Sequence, residues 1–278
     1  MTATTPSGAC DCHVHIYGDG YTLAPTATFK PPHAPLTSYR RVQRRLGLER
    51  VVLVQPTGYG FDNQCLLDAL AQLGSDARGV VFMPPDIGDE ALQQLHAAGV
   101  RGVRFMMLAG AGGPLPWSAL PLIAARIAPL GWHINLQLDG RELPLYMAAI
   151  EQLPCKLVID HTGKFIEPVA VSHPAFKALQ SLLDHGRRWV KLAAPYETSK
   201  VGPPHYDDVS VLARCLAASH PERCLWASNW PHPNRLPLPD DAALFALLNE
   251  WAGSETVRDK ILVHNPAELY GFDGTAGA

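Results

Sequence analysis

The sequence predicts a (β/α)₈ barrel in a single domain over residues 1–278, and three observations predict it. Short apolar runs of strand character alternate with longer amphipathic stretches along the whole chain. There are eight such runs, and eight strand–helix units in about 250 residues is the arithmetic of this barrel. The structural runner-up, a doubly wound open sheet, would usually carry a dinucleotide or phosphate loop. The one Gly-rich stretch, "GAGGPLP" from Gly110, lacks the Lys-Ser/Thr ending of a P-loop and reads as a loop after strand four.

In chain order the predicted strands are "CDCHVHI" from Cys10, "RVVLVQP" from Arg50, "RGVVFMP" from Arg78 and "VRGVRFM" from Val100. They continue with "HINLQLD" from His133, "KLVIDHTG" from Lys156, "WVKLAAP" from Trp189 and "CLWASNWP" from Cys224. Helical stretches such as "DNQCLLDALAQL" and "AFKALQSLLDHG" lie between them. Gly47, Gly74, Gly99, Gly131 and Gly186 fall just past helix ends, where a left-handed cap is expected. The locally basic "YRRVQRR" from Tyr39 reads as the wet face of a helix.

Composition narrows the function classes. With 278 residues, 47% hydrophobic, 18% charged and a net charge of -3, the chain reads as an ordinary soluble globular protein. Nothing resembles the basic stripe of a nucleic-acid binder, and no run approaches the roughly 20 apolar residues that span a membrane. The opening "MTATTPSGACDCHVH" has no signal-peptide pattern and the six cysteines read as reduced, so a cytoplasmic location is expected.

Successive strand residues point to opposite faces, which sorts barrel lumen from helix-facing layer. By that parity Asp11, His13 and His15 look inward, and Cys10 and Cys12 turn toward the helices as packing. His133, Asn135, Gln137 and Asp139 share the inner face of strand five. His161 is grouped with Ile159 in strand six, and Asn229 with Ala227 and Leu225 in strand eight. The carboxyl ends of barrel strands are where this architecture does chemistry. There the chain offers His13, His15, Gln55, Arg104, Gln137, His161, Lys191 and Asn229. Three histidines, two cations and three amides at one mouth are too polar for packing. Each has a plainer reading as well: Lys191 could only neutralise Asp11, and Gln137 and Asn135 could only bond each other.

The His-x-His of "DCHVH", the strand-six "DHTGK" and the strand-eight "WASNWPHP" resemble the amidohydrolase-related family of metal-dependent hydrolase folds. "VVLVQPTGYGFDN", "GVRGVRF", "VKLAAPYETSKVGPP" and "WPHPN" narrow the likeness to the branch of 2-pyrone-4,6-dicarboxylate lactonase and sugar-lactone lactonases. The resemblance implies a hydrolase of aromatic catabolism that opens a small, carboxylated lactone. His13, His15, His161 and Asn229 would be its catalytic residues. Gln55, Tyr59, Arg104, Gln137, Lys191, Tyr196, Lys200 and His232 would contact the substrate, with Arg104, Lys191 or Lys200 gripping a carboxylate. No cofactor is required by this reading. The alternative is a single zinc ion on His13, His15 and His161.

Two departures from the family stand out. Strand eight ends in Asn229 where the family has an acidic residue, and an amide cannot take a proton from water near neutral pH. After strand four, "RFMMLAGAGGPLPW" offers Arg104 alone, which leaves a second substrate carboxylate without a partner. Either a histidine serves as base, or the chain is a ligand-binding form with an impaired site. A metal-dependent decarboxylase or C–N hydrolase of the wider family is the other alternative. Specificity is expected in the loops Tyr17 to Pro35 and Leu108 to Trp117.

Overall fold

The computed structural model describes residues 4–272; residues 1–3 and 273–278 of the predicted domain lie outside the described residues. Eight parallel strands pair in chain order: β1 (Cys10–Val14), β2 (Arg50–Val54), β3 (Ala77–Val81), β4 (Val100–Met106), β5 (His133–Gln137), β6 (Lys156–Ile159), β7 (Arg188–Ala193) and β8 (Cys224–Ala227). Closure between β8 and β1 comes just beyond β8. There the Asn229 N–H donates to the His13 carbonyl (3.0 Å) and the His15 N–H donates to the Trp230 carbonyl (2.9 Å).

Helices α1 (Leu36–Leu46), α2 (Gln64–Leu73), α3 (Asp89–Ala97), α4 (Leu120–Ile127), α5 (Leu143–Glu151), α6 (Pro174–Leu183), α7 (Asp207–Ser219) and α8 (Asp241–Ala252) cover the outside. Helix α1 shows why: Leu36, Tyr39, Gln43 and Leu46 share one buried face at helical spacing, and Arg41, Arg44 and Arg45 stay exposed. Gly47 and Gly131 adopt the predicted left-handed caps. Gly186 does not, since its φ is not positive. None of these helices is long and apolar enough to cross a membrane.

Two buried layers follow from strand parity. Cys10, Cys12, Val52, Val54, Val80, Val158, Trp189, Leu225 and Ala227 fill the lumen, and Tyr270 and Phe272 plug its amino-terminal end. Val51, Leu53, Val103, Ile134, Leu136, Leu157, Val190 and Leu192 face the helices. The predicted inward face of β1 is therefore wrong in part. Cys10 and Cys12 point into the lumen, and Asp11 points out, accepting from the Tyr39 hydroxyl (3.2 Å) and the Ser228 hydroxyl (2.6 Å). The cause is a shift in β1–β2 register between Asp11 and Val14, where three residues of β1 advance against two of β2. That bulge resets the alternation and brings His13 and His15 inside.

Strand six corrects the same rule differently. Val158 and Asp160 face the axis, and Ile159 packs under the helices. The strand ends at Ile159, and His161 returns toward the lumen through a left-handed backbone, φ 52°. All eight non-glycine residues with positive φ in the described chain sit beyond β6, β7 and β8: His161, Thr162, Lys164, Ala194, Tyr206, Asn229, His232 and Asn234. Such conformations persist where surrounding contacts over-determine them, commonly at functional sites.

His133 begins β5 at the bottom of the lumen, edge-on to Tyr270 with ring centroids 5.3 Å apart. Its ring lies across Gly102, where any Cβ would come within 2.4 Å of His133 Cε1. Burial lowers its pKa from 6.5 to about 3. Between those values the folded protein binds fewer protons than the unfolded chain, so stability falls as pH drops below 6.5. Each pH unit in this window costs about 1.4 kcal/mol from this one residue. Urea unfolding at pH 7, 6 and 5 should show His133→Gln flattening the acid limb by about that slope.

Candidate active site

A charged group lies buried at the base of the mouth. The Lys191 ammonium, without solvent exposure, stands 3.2 Å from Asp160 Oδ1 and 3.1 Å from His13 Nδ1, and also donates to Asn135 Oδ1. Asn135 Nδ2 donates to the other Asp160 oxygen at 2.7 Å. The ammonium therefore has two hydrogen-bond acceptors, Asn135 and His13, and an ion-pair partner in Asp160. Burial would raise the Asp160 pKa, but the Lys191 ammonium holds it well below the ordinary carboxylate range.

This base orients the imidazoles above it. His15 Nδ1 lies 2.7 Å from the Val54 carbonyl and must donate to it, which leaves Nε2 as an acceptor. His13 Nε2, 3.2 Å away, is then the donor to His15, and His13 Nδ1 accepts from Lys191. These tautomers are assigned from the hydrogen-bond pattern. Burial holds His13, His15 and His161 well below their usual pKa, so all three are neutral near pH 7.

Above them opens a cavity of about 200 Å³ lined by His15, His161, Arg104, Gln137, Glu197 and Asn229, with Tyr17 and Phe29 among its walls. Arg104 gives one proton of Nη1 to the Gln55 carbonyl (2.7 Å) and one of Nη2 to Gln137 Oε1 (3.1 Å). Each terminal nitrogen keeps a second proton. Among the described residues no carboxylate lies within ion-pair distance of this buried guanidinium. A buried guanidinium so placed has protons free to donate to an anion.

Residues 10–272 match the sequence profile of the family described as amidohydrolase. The chain belongs to the amidohydrolase family. It is 36% identical over 276 residues to the 2-pyrone-4,6-dicarboxylate hydrolase of Comamonas testosteroni, covering 95% of this chain and 90% of that one. It is 34% identical over 270 residues to the D-galactarolactone isomerase of Agrobacterium fabrum, covering 95% and 91%. An Agrobacterium tumefaciens crystal structure without ligand superposes with a TM-score of 0.92 at 34% identity, over 98% of both chains. The barrel and the lactone-processing branch read from the sequence are thus borne out for this amidohydrolase.

Of the predicted site residues, the cavity brings together His15, Arg104, Gln137, His161 and Asn229. His13 supports them from below. Lys191 is at the site but not free to grip a substrate, because Asp160, Asn135 and His13 use its protons. Its partner is Asp160 rather than the expected Asp11. Gln55 and Tyr59 support loops: Gln55 Nε2 donates to the Asp62 carbonyl (2.6 Å), and the Tyr59 hydroxyl bonds Gly18 (3.2 Å). Tyr196 and His232 stand behind Asn229. Lys200 lies outside, half exposed and paired with Glu167 at 3.1 Å.

The predicted metal set also changes. The donors that come together, within 4.8 Å of one another, are His13, Asp160 and His161, without His15. They fit a divalent ion poorly, because Lys191 already supplies the cation that Asp160 and His13 face. Sequence reasoning passed over Asp160, Lys164 and Glu197. Asp160 and Lys164 were in plain view in "DHTGK", but a parity rule carried through Ile159 points past the aspartate.

Removing one partner of a buried ion pair strands the other charge. Asp160→Asn should cost about 3–5 kcal/mol in denaturant unfolding, and Asp160→Asn with Lys191→Met should recover most of it.

Proposed function

We propose that this amidohydrolase opens a small carboxylated lactone by attack of water on the ring ester carbonyl. The observation that carries the reading is the buried Arg104 guanidinium, which faces a cavity walled by neutral imidazoles and, among the described residues, contacts no carboxylate. Arg104 would take the substrate carboxylate as a two-pronged donor and fix the ring. His161 would meet the ester carbonyl, where a neutral imidazole can donate to the developing oxyanion. The Asn229 amide would orient the attacking oxygen without deprotonating it. The small cavity and the single cation suit one carboxylate better than two. The similarity to a lactone hydrolase over nearly the whole chain supports the same chemistry.

No metal is required in this reading, since Lys191 already neutralises Asp160 and strand eight ends in an amide. His13, Asp160 and His161 are the residues that would hold a zinc ion if one bound. Six free cysteines suit a reducing, cytoplasmic compartment and catabolism of small acids.

Asn229 favours a second reading. With no carboxylate at that position, the attacking oxygen could be a hydroxyl of the substrate itself, which would give an isomeric lactone instead of a hydroxy acid. The isomerase relative supports that outcome.

Turnover of pyrone, muconolactone and aldonolactone substrates in ¹⁸O-water separates the readings. Hydrolysis places ¹⁸O in the product carboxylate, and isomerisation places none. Arg104→Met should raise KM about 10-fold or more with a smaller change in kcat. Prolonged dialysis against a chelator should leave kcat unchanged; a loss restored by zinc would defeat the metal-free reading.

A further inference from the structure

Among the described residues lining the cavity, one is a carboxylate: Glu197. It stands on the short turn Pro195–Glu197 after β7, entered through Ala194 at φ 50°. Arg235 Nη2 holds that turn by donating to the Glu197 main-chain carbonyl at 3.1 Å. The carboxylate reaches the end of β8, where Oε1 accepts from Asn229 Nδ2 at 3.2 Å. Its other oxygen contacts the ammonium of Lys164, a largely buried side chain from beyond β6.

The Asn229 amide is locked in that orientation from behind. Its nitrogen also donates to the Tyr196 hydroxyl (2.9 Å). Tyr196 donates to His232 Nδ1 (2.8 Å), and His232 Nε2 donates to Asp241 (2.8 Å). An aspartate at 229 would put two carboxylates at hydrogen-bond distance, and two so close cannot both ionise. The amide at 229 and the acid at 197 are therefore complementary. The carboxylate is present in the site, but on the neighbouring strand's exit.

We propose that Glu197 is the proton acceptor and donor of the ring-opening step, aimed by Asn229 and held in place by Lys164. The inference rests on the lactone reading above and deepens it. The attacking hydroxyl loses its proton to a Glu197 oxygen as its own oxygen bonds to the ring carbonyl carbon. The ring C–O bond then breaks, and its alkoxide takes the proton back from the Glu197 carboxyl, which regenerates the carboxylate. Lactone plus water gives hydroxy acid; with a substrate hydroxyl as the attacker, lactone gives isomeric lactone. Lys164 from the β6 exit and Arg235 from the β8 side touch Glu197, Tyr196, His232 and Asp241 form the chain behind Asn229, and His161 and Arg104 line the same cavity. Burial and Arg235 draw Lys164 down toward about 7.

The test compares the full-length protein with Glu197→Gln, Glu197→Asp and Glu197→Gln/Asn229→Asp on a lactone that the unmodified protein turns over, with melting temperatures alongside. Glu197→Gln should lower kcat by about 100-fold or more, leave KM within about threefold, and abolish the acidic limb of the pH–rate profile. Glu197→Asp, which keeps the charge beside Lys164, should fold and retain that limb. The double variant should regain activity, because it returns a carboxylate to the same point from strand eight. Glu197→Gln with unchanged kcat and an unchanged acidic limb would overturn the assignment. So would a loss that tracks a fall in melting temperature and is not rescued in the double variant, since that marks a purely structural ion pair. If the unmodified protein turns over no carboxylated lactone, the lactone reading itself falls, and this inference with it.

Discussion

A lysine and an aspartate buried together on the barrel axis are what the rest of the site depends on. Taking both charges out of water costs several kcal/mol per ion, so the pair persists only with its hydrogen bonds filled. Asn135 and His13 fill them. The same contacts dictate the chemistry above. Because Lys191 donates to His13 Nδ1, the ring must donate from Nε2, and His15 must pass its own proton to the Val54 carbonyl. A charge below the cavity thus sets the tautomers of two imidazoles in or beneath it.

Much of this was readable from residue patterns, and the failures have physical causes. Strand count and order follow from apolar runs that the barrel buries on both faces, so they survive local irregularity. The placement of Arg104 and Gln137 is right because β4 and β5 pair in unbroken register from Gly102 to Met106. Parity failed in β1, where one extra residue turns Cys10 and Cys12 inward and Asp11 outward. It failed again after β6, where the chain leaves the strand at Asp160 and left-handed backbone redirects His161 and Lys164. Glu197 belongs to a turn whose direction depends on Ala194 and on Arg235, 38 residues away. No periodic pattern encodes such a contact.

The cavity that results is electrically divided. Arg104 and Gln137 form one wall, and Glu197 with Asn229 forms the other, with neutral histidines between them. In a site of about 200 Å³ such a field orders a small ligand end to end. Its anionic group is drawn to the guanidinium and its hydroxyl groups to the carboxylate. The reversed pose sets carboxylate against carboxylate. Asn229 belongs to this division, since its two amide protons join the acidic wall to the Tyr196–His232–Asp241 chain.

The joint between the last strand and the first has a further consequence. Elsewhere the staves are held by ladders of ordinary strand pairing. At this joint the main-chain bonds run through His13, His15, Asn229 and Trp230, stapled by Asp11 to Ser228. The bonds that shut the barrel are carried by residues of the site. Any opening of the joint therefore separates the histidines from the amide. Warming should erode turnover while the fold, by most spectroscopic probes, is still intact.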